Sequence, residues 1–194
     1  MVRPREFDRD EALDRATRVF WAKGYASTST EDLLAAMNIG RQSLYNAFGD
    51  KRRLYLEALE RYQKESTEGH LERLNSGTSP LRGIQALLLG LIAEDDSVRA
   101  LGCMGVGAVS EFGIADPELV MLRSKVAPRL SRRLAERTRA GQACGEIDPA
   151  MDAREVATFL QITMTGIQLG ARAGGDARSL RAQVKFTINR LRAR

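Results

Sequence analysis

Arg41, Gln42, Tyr45 and Asn46 stand within a six-residue stretch near the amino end of the chain. On a helix they point to one side, while Leu44 and Phe48, four residues apart, share the other. Arginine presents two donors that match O6 and N7 of guanine, and glutamine or asparagine presents the donor–acceptor pair that matches adenine. The chemistry available to such a helix is hydrogen-bond readout of base edges. Thr28, Ser29 and Thr30 stand at an expected helix start, where free backbone N–H groups favour a phosphate. Lys51, Arg52 and Arg53 stand at the next such start, placed for the nucleic-acid backbone.

Other chemistries are poorly provided for. His70 is the single histidine, and Cys103 and Cys144 are the two cysteines, far apart in the 194-residue chain. No Cys-x-x-Cys and no glycine-rich phosphate loop occurs, so no metal and no cofactor is expected. A cysteine-dependent enzyme built on Cys103 is the alternative from a different class, and the lone His70 and these missing motifs argue against it. The net charge of +5 and pI near 9.5 invite a nucleic-acid reading. The first 65 residues are nearly balanced in charge, however, so local placement decides rather than the total. The longest strongly apolar run, residues 86–93, is too short to cross a bilayer, and no secretory signal is visible. The expectation is a cytoplasmic protein that keeps its thiols reduced.

The elements that must position these residues read as helices throughout. A first helix from about Asp8 to Lys23 buries Leu13, Ala16 and Phe20, with Asp8 and Glu11 at capping-box spacing and Gly24 as its stop. Thr28 opens a second helix with Glu31 as its capping partner, and that helix ends near Asn38. A turn at Ile39-Gly40 leads to a third helix over Arg41–Ala47. Asp50 caps a long fourth helix over 51–74. Further helices are expected over 80–93, 101–112 and 116–140, with Pro80 and Pro117 at first helical positions. The last two start at Asp152 and Asp176 and are parted by Gly174-Gly175. The fold class is all-α: a helix-turn-helix domain over residues 1–53 and a helical domain for ligand binding and dimerisation over 54–194.

Two short helices joined by a tight turn make a helix-turn-helix pattern. The run Phe20-Trp-Ala-Lys-Gly-Tyr25, then Thr28, Asp32-Leu33, Ser43-Leu-Tyr45, Phe48 and Lys51-x-x-Leu54 resembles the TetR family of bacterial regulators. The resemblance is tight over residues 9–55. It implies a homodimer that grips double-stranded operator DNA, represses transcription and lets go when a small-molecule effector binds in the carboxyl-terminal body. It implies phosphate contacts from Ser29, Tyr45 and Lys51 and base contacts from Arg41, Gln42 and Asn46. Thr28 and Ser43 complete the DNA-binding set. Arg3 and Arg5 are candidates for a minor-groove arm. Gly40 departs from the polar cap common at the start of the recognition helix.

In the body, the segment Gly102-Cys103-Met104 through Glu111 resembles a Gly-Cys helix of one branch of that family, which opens a thiol-sensing alternative through Cys103. Tyr62, Cys103, Met104 and Phe112 are the candidates to line an effector pocket among the helices at 51–74, 80–93, 101–112 and 116–140. Glu111 either orients a ligand or faces water. Trp21 is read as a packing residue. Phe159, Thr163, Gly166, Ile167 and Gly170, with Val184 and Ile188 from the last helix, are the expected dimer interface.

Overall fold

The first helix, α1 (Arg9–Lys23), begins where the Asp8 carboxylate accepts the N–H groups of Asp10 and Glu11. It ends at Gly24, whose φ of 79° only glycine adopts readily and whose N–H returns to the Phe20 carbonyl. A computed structural model describes residues 7–193, so the expected Arg3 and Arg5 arm lies outside the described residues.

The second helix, α2 (Thr30–Met37), starts one residue later than its sequence suggests. Ser29, not Thr28, is the cap: its Oγ accepts the Asp32 N–H at 3.0 Å, and the Asp32 carboxylate accepts the Ser29 N–H at 2.9 Å. Thr28 turns inward, 1% exposed, and donates its hydroxyl to the Gly24 carbonyl at 2.5 Å. Glu31 pairs with Arg41 instead of capping. Asn38, in the left-handed region at φ 55°, closes α2, and α3 (Arg41–Phe48) follows after two residues.

The remaining helices are α4 (Lys51–Ser76), α5 (Pro80–Leu89), α6 (Asp96–Arg99), α7 (Met104–Phe112), α8 (Pro117–Ala143), α9 (Ala153–Arg172) and α10 (Ala177–Leu191). The 80–93 helix of the sequence reading stops at Leu89, and the expected 94–97 connection contains the single turn α6. Arg99 is the reason this stretch is fixed. It is 8% exposed, and its guanidinium donates to the carbonyls of Ala93, Glu94 and Gly175.

Apolar side chains collect into two cores. One joins Leu13, Phe20, Leu33, Leu44, Leu54, Tyr55 and Leu59 to Met104, Ala108, Leu119 and Leu122 of α7 and α8. The other joins Leu74, Ile84, Leu87 and Leu134 to Leu160, Ile167, Val184 and Ile188. Helix α4 contributes its first turns to one and its last turns to the other, so packing continues across the 53/54 position.

Three expected interface residues are corrected by this packing. Ile167, Val184 and Ile188 are buried within their own subunit. Gly170 approaches Leu180 of α10 in the same chain. Phe159 and Gly166 of the expected set are exposed and Thr163 half-buried; Ile162 and Leu169 join them on the outward side of α9, and Phe186 projects from α10. Apolar residues occupy both sides of α9, so its outward side could not be phased from sequence.

Candidate functional site

Helix α3 buries Leu44 and Phe48 and turns Arg41, Gln42, Tyr45 and Asn46 to solvent, with Ser43 half-buried at the edge. The outward residues are held by weak mutual bonds. Arg41 pairs with Glu31 of α2. Gln42 donates to the Asn46 amide oxygen at 3.0 Å. Exposed pairs of this kind are worth about 0–1 kcal/mol, so a stronger planar partner displaces them easily. Gly40 precedes α3 without a side-chain cap, and a Cβ there would meet nothing. The first N–H groups of α3 thus remain open to an external acceptor.

Two further anchors flank this face. The Ser29 hydroxyl, whose oxygen caps α2, is exposed to solvent. Lys51, at the first position of α4, lies over the Tyr25 ring, with Nζ 4.3 Å from its centre. Arg52 does not join it. Its guanidinium is taken by Asp116 at 2.6 Å and Glu118 at 3.0 Å, tying α4 to the start of α8. Thr28 is buried, so of the sequence candidates Ser29, Arg41, Gln42, Ser43, Tyr45, Asn46 and Lys51 remain at this surface.

The body contains two cavities beside α1. One, about 430 Å³, is lined by Phe20, Trp21, Tyr55, Met104, Glu111 and Arg172 among others. The second, about 410 Å³, lies between α4, the segment that follows α5, α6 and α9 and is lined by Trp21, Tyr62, Ser66, His70, Arg73 and Gln168 among others. Trp21 of the first helix lines both, and a further cavity of about 430 Å³ lies between α4 and α8, lined by Leu56, Glu60, Met121 and Leu122 among others. Trp21 also donates its indole N–H to the Gly102 carbonyl at 3.1 Å.

Among the sequence candidates for a ligand, Tyr62 and Met104 line cavities, and Cys103 lies beside the Tyr62 hydroxyl. Burial, then Cys103, pushes the Tyr62 phenol upward from its usual range. Phe112 lines neither cavity; it packs on Tyr25 and Tyr55, with centroids 5.6 and 5.9 Å away. Glu111 has a different task from orienting a ligand. Its carboxylate accepts the N–H groups of Tyr25 at 3.0 Å and Ala26 at 2.6 Å, fastening the α1–α2 turn to the end of α7. His70 and Arg73 were not singled out for the cavity. A lone histidine and arginine on a long polar helix carry no periodic signal that marks them as inward.

An outward polar α3 seated on α1 and α2, joined to a larger helical body, defines a helix-turn-helix regulator rather than an enzyme. Comparison with known proteins agrees. Residues 12–58 match the model of bacterial regulatory proteins of the tetR family, and residues 80–186 match the tetracyclin repressor-like carboxyl-terminal domain. The chain is 31% identical to the HTH-type transcriptional repressor ComR of Escherichia coli strain K12, over 97% of this chain and 90% of ComR. It is 30% identical to the uncharacterized HTH-type transcriptional regulator YezE of Bacillus subtilis strain 168, over 97% and 98%. A solved structure of the TetR family regulator CifR, with three cysteine substitutions and complexed with 26-bp double-strand operator DNA, is 32% identical. It superposes with a TM-score of 0.79 over 97% of this chain and 99% of that one. The chain belongs to the TetR family and is a DNA-binding transcriptional regulator.

The cap beneath the recognition surface carries a pH signature. The hydrogen bond from Lys23, then the bonds from the Ser29 backbone and hydroxyl, lowers the Asp32 carboxyl from 3.8 to about 2. A depressed carboxyl stabilises the fold above its unfolded pKa and ceases to do so as pH falls through its folded one. The Ser29 amide should therefore stay protected from hydrogen exchange above pH 3.8 and lose that protection as pH falls towards about 2. In Asp32→Ala, which removes the acceptor, the loss should be present already at neutral pH.

Proposed function

We propose that the protein is a homodimeric repressor whose α3 helices enter successive major grooves of an operator, and that a small molecule in the body releases it. The observation that carries the DNA reading is the outward set Arg41, Gln42, Tyr45 and Asn46 on a helix whose other side is buried. In this reading Arg41, Gln42 and Asn46 meet base edges, with Ser43 beside them, and Ser29, Tyr45 and Lys51 meet phosphates. Thr28 acts from below, by fixing the α1–α2 turn. Two-fold pairing through α9 and α10 would set the two α3 helices roughly 34–36 Å apart, one turn of DNA.

Release is supported by the position of Trp21. It belongs to a helix of the DNA-binding unit yet lines both cavities, so an occupant of either touches the reading head directly. A ligand that favours one placement of α1 over another shifts the dimer between spacings that fit DNA and spacings that do not. Cys103 supports a second reading, release by thiol oxidation, because it stands at the amino end of α7 against the Tyr62 hydroxyl.

Fluorescence anisotropy with the DNA upstream of the protein's own gene, against scrambled DNA, tests the regulator reading. Sequence-dependent binding is expected. At about 1–3 kcal/mol for each bidentate base contact, Arg41→Ala with Gln42→Ala should weaken it by about a hundredfold or more without changing the melting temperature. Equal, strongly salt-dependent binding to both DNAs would show phosphate attraction alone. In the same assay, peroxide-driven release that disappears in Cys103→Ser would select the thiol reading over the ligand reading.

The dimer has its own test. Ile162 is 67% exposed and Phe186 62%. Ile162→Glu with Phe186→Glu should halve the mass seen by analytical ultracentrifugation while helical content is retained. A mass unchanged by the pair would place the interface elsewhere.

A further inference from the structure

The cavity between α4, the segment after α5, α6 and α9 holds a cation that no carboxylate among the described residues neutralises. Arg73 lies on its wall, and among the described residues no ion pair takes its guanidinium. Its hydrogen bond is to His70 Nδ1 at 3.3 Å. The other arginine on this wall, Arg99, is paired with Asp96 and saturated by backbone carbonyls. The carboxylate on the wall, Glu65, is engaged by Arg61 at 3.0 Å. Burial, then the charge of Arg73, pushes His70 down to about 4, so the imidazole is neutral at pH 7 and Arg73 carries the positive charge of this pair.

Two glycines lie against the Arg73 side chain. Gly90 has φ −68° and ψ −5°, which any residue adopts. Yet a Cβ there would stand 2.2 Å from Arg73 Cδ and 2.4 Å from Nε. A side chain at 90 would therefore require the Arg73 stem to move, while the backbone there makes no demand for glycine. Gly69, one turn before Arg73 on α4, weakens its helix but leaves space beside the guanidinium, with the place of a Cβ 3.7 Å from Nη1. The rest of the wall is chemically different. Trp21 and Tyr62 meet edge to face with centroids 5.1 Å apart, and Leu91 stands on the same wall. The Ser66 hydroxyl, 3.2 Å from His70 Nε2, lies between the apolar and the cationic ends.

We propose that this cavity binds a small aromatic carboxylate, its anionic group on Arg73 between Gly69 and Gly90 and its ring against Trp21 and Tyr62. A planar fork of donors matches a carboxylate in two parallel bonds, and a cavity of about 410 Å³ accommodates a molecule of that size. The assignment of this ligand as the effector rests on the ligand-release reading above; the assignment of the site does not.

The test uses the full-length protein, with phenylacetate and its neutral isostere phenylacetamide as probes. Trp21 is the only tryptophan and His70 the only histidine, so indole fluorescence and the imidazole ring protons report on the two ends of the cavity separately. Saturable binding of the acid, at least about tenfold tighter than the amide, is expected from a charge-assisted contact. Both signals should move together. Arg73→Gln should bring acid and amide level while the melting temperature holds. Gly90→Ala should do the same by displacing the arginine without removing its charge. Equal affinity for the two probes, no saturable binding of the acid, or indifference to both substitutions would overturn the proposal. Operator anisotropy with the acid present keeps the two readings apart. Binding without release leaves the site standing and removes its role as effector site, whereas release by other molecules with no preference for the acid removes the site alone.

Discussion

One helix serves two cores, and the rest of the architecture follows from that. The first turns of α4 bury Leu54, Tyr55 and Leu59 under the DNA-binding helices, and its last turns bury Leu71 and Leu74 in the body. A helix of 26 residues is a rod of about 39 Å. A displacement at its far end therefore cannot be absorbed locally and has to appear as a tilt at the near one. The reading head is mounted on a lever whose other arm forms a wall of the polar cavity.

The seam beside that lever is closed by α7, which is fastened at both ends to the DNA-binding unit. At its start, the Gly102 carbonyl receives the Trp21 indole N–H, and Arg172 of α9 donates to the Leu101 carbonyl at 2.8 Å. At its end, Glu111 holds two backbone N–H groups of the α1–α2 turn. Between these fastenings stand Met104 and Ala108, packed into the amino-terminal core. These bonds are few and partly exposed, unlike the close-packed interiors on either side. They are what can be remade at modest cost when the two units change their relation, because the cores themselves resist continuous deformation.

Much of this was legible before any coordinates. The long helices, the caps at Asp8, Asp50, Asp116, Asp152 and Asp176, and the split of α3 into an apolar and a polar side all follow from local rules of spacing and capping; the single turn α6 does not. The errors share a physical cause. Thr28 and Ser29 are both good caps, and the choice between them depends on where the preceding turn places its carbonyls. Ile167, Val184 and Ile188 form convincing stripes, but a stripe does not state whether its own subunit or a second one covers it. Glu111 read as a free polar group because its partners, the N–H groups of Tyr25 and Ala26, lie more than eighty residues away in sequence. Arg73 and His70 sit on a mostly polar helix, where inward and outward charges look alike until the neighbouring helix is in place.

The shared wall at Trp21 has a consequence that runs in both directions. Binding equilibria at two coupled places are reciprocal: whatever factor an occupant of the cavity takes from the affinity for DNA, DNA takes from the affinity for that occupant. A small molecule acting through Trp21 would therefore meet two populations in the cell, a weakly binding one seated on promoters and a tightly binding one free in solution. The free pool would act as a sponge that must fill first. The concentration at which a gene responds would then be set by how much regulator the cell makes as well as by the shape of the cavity.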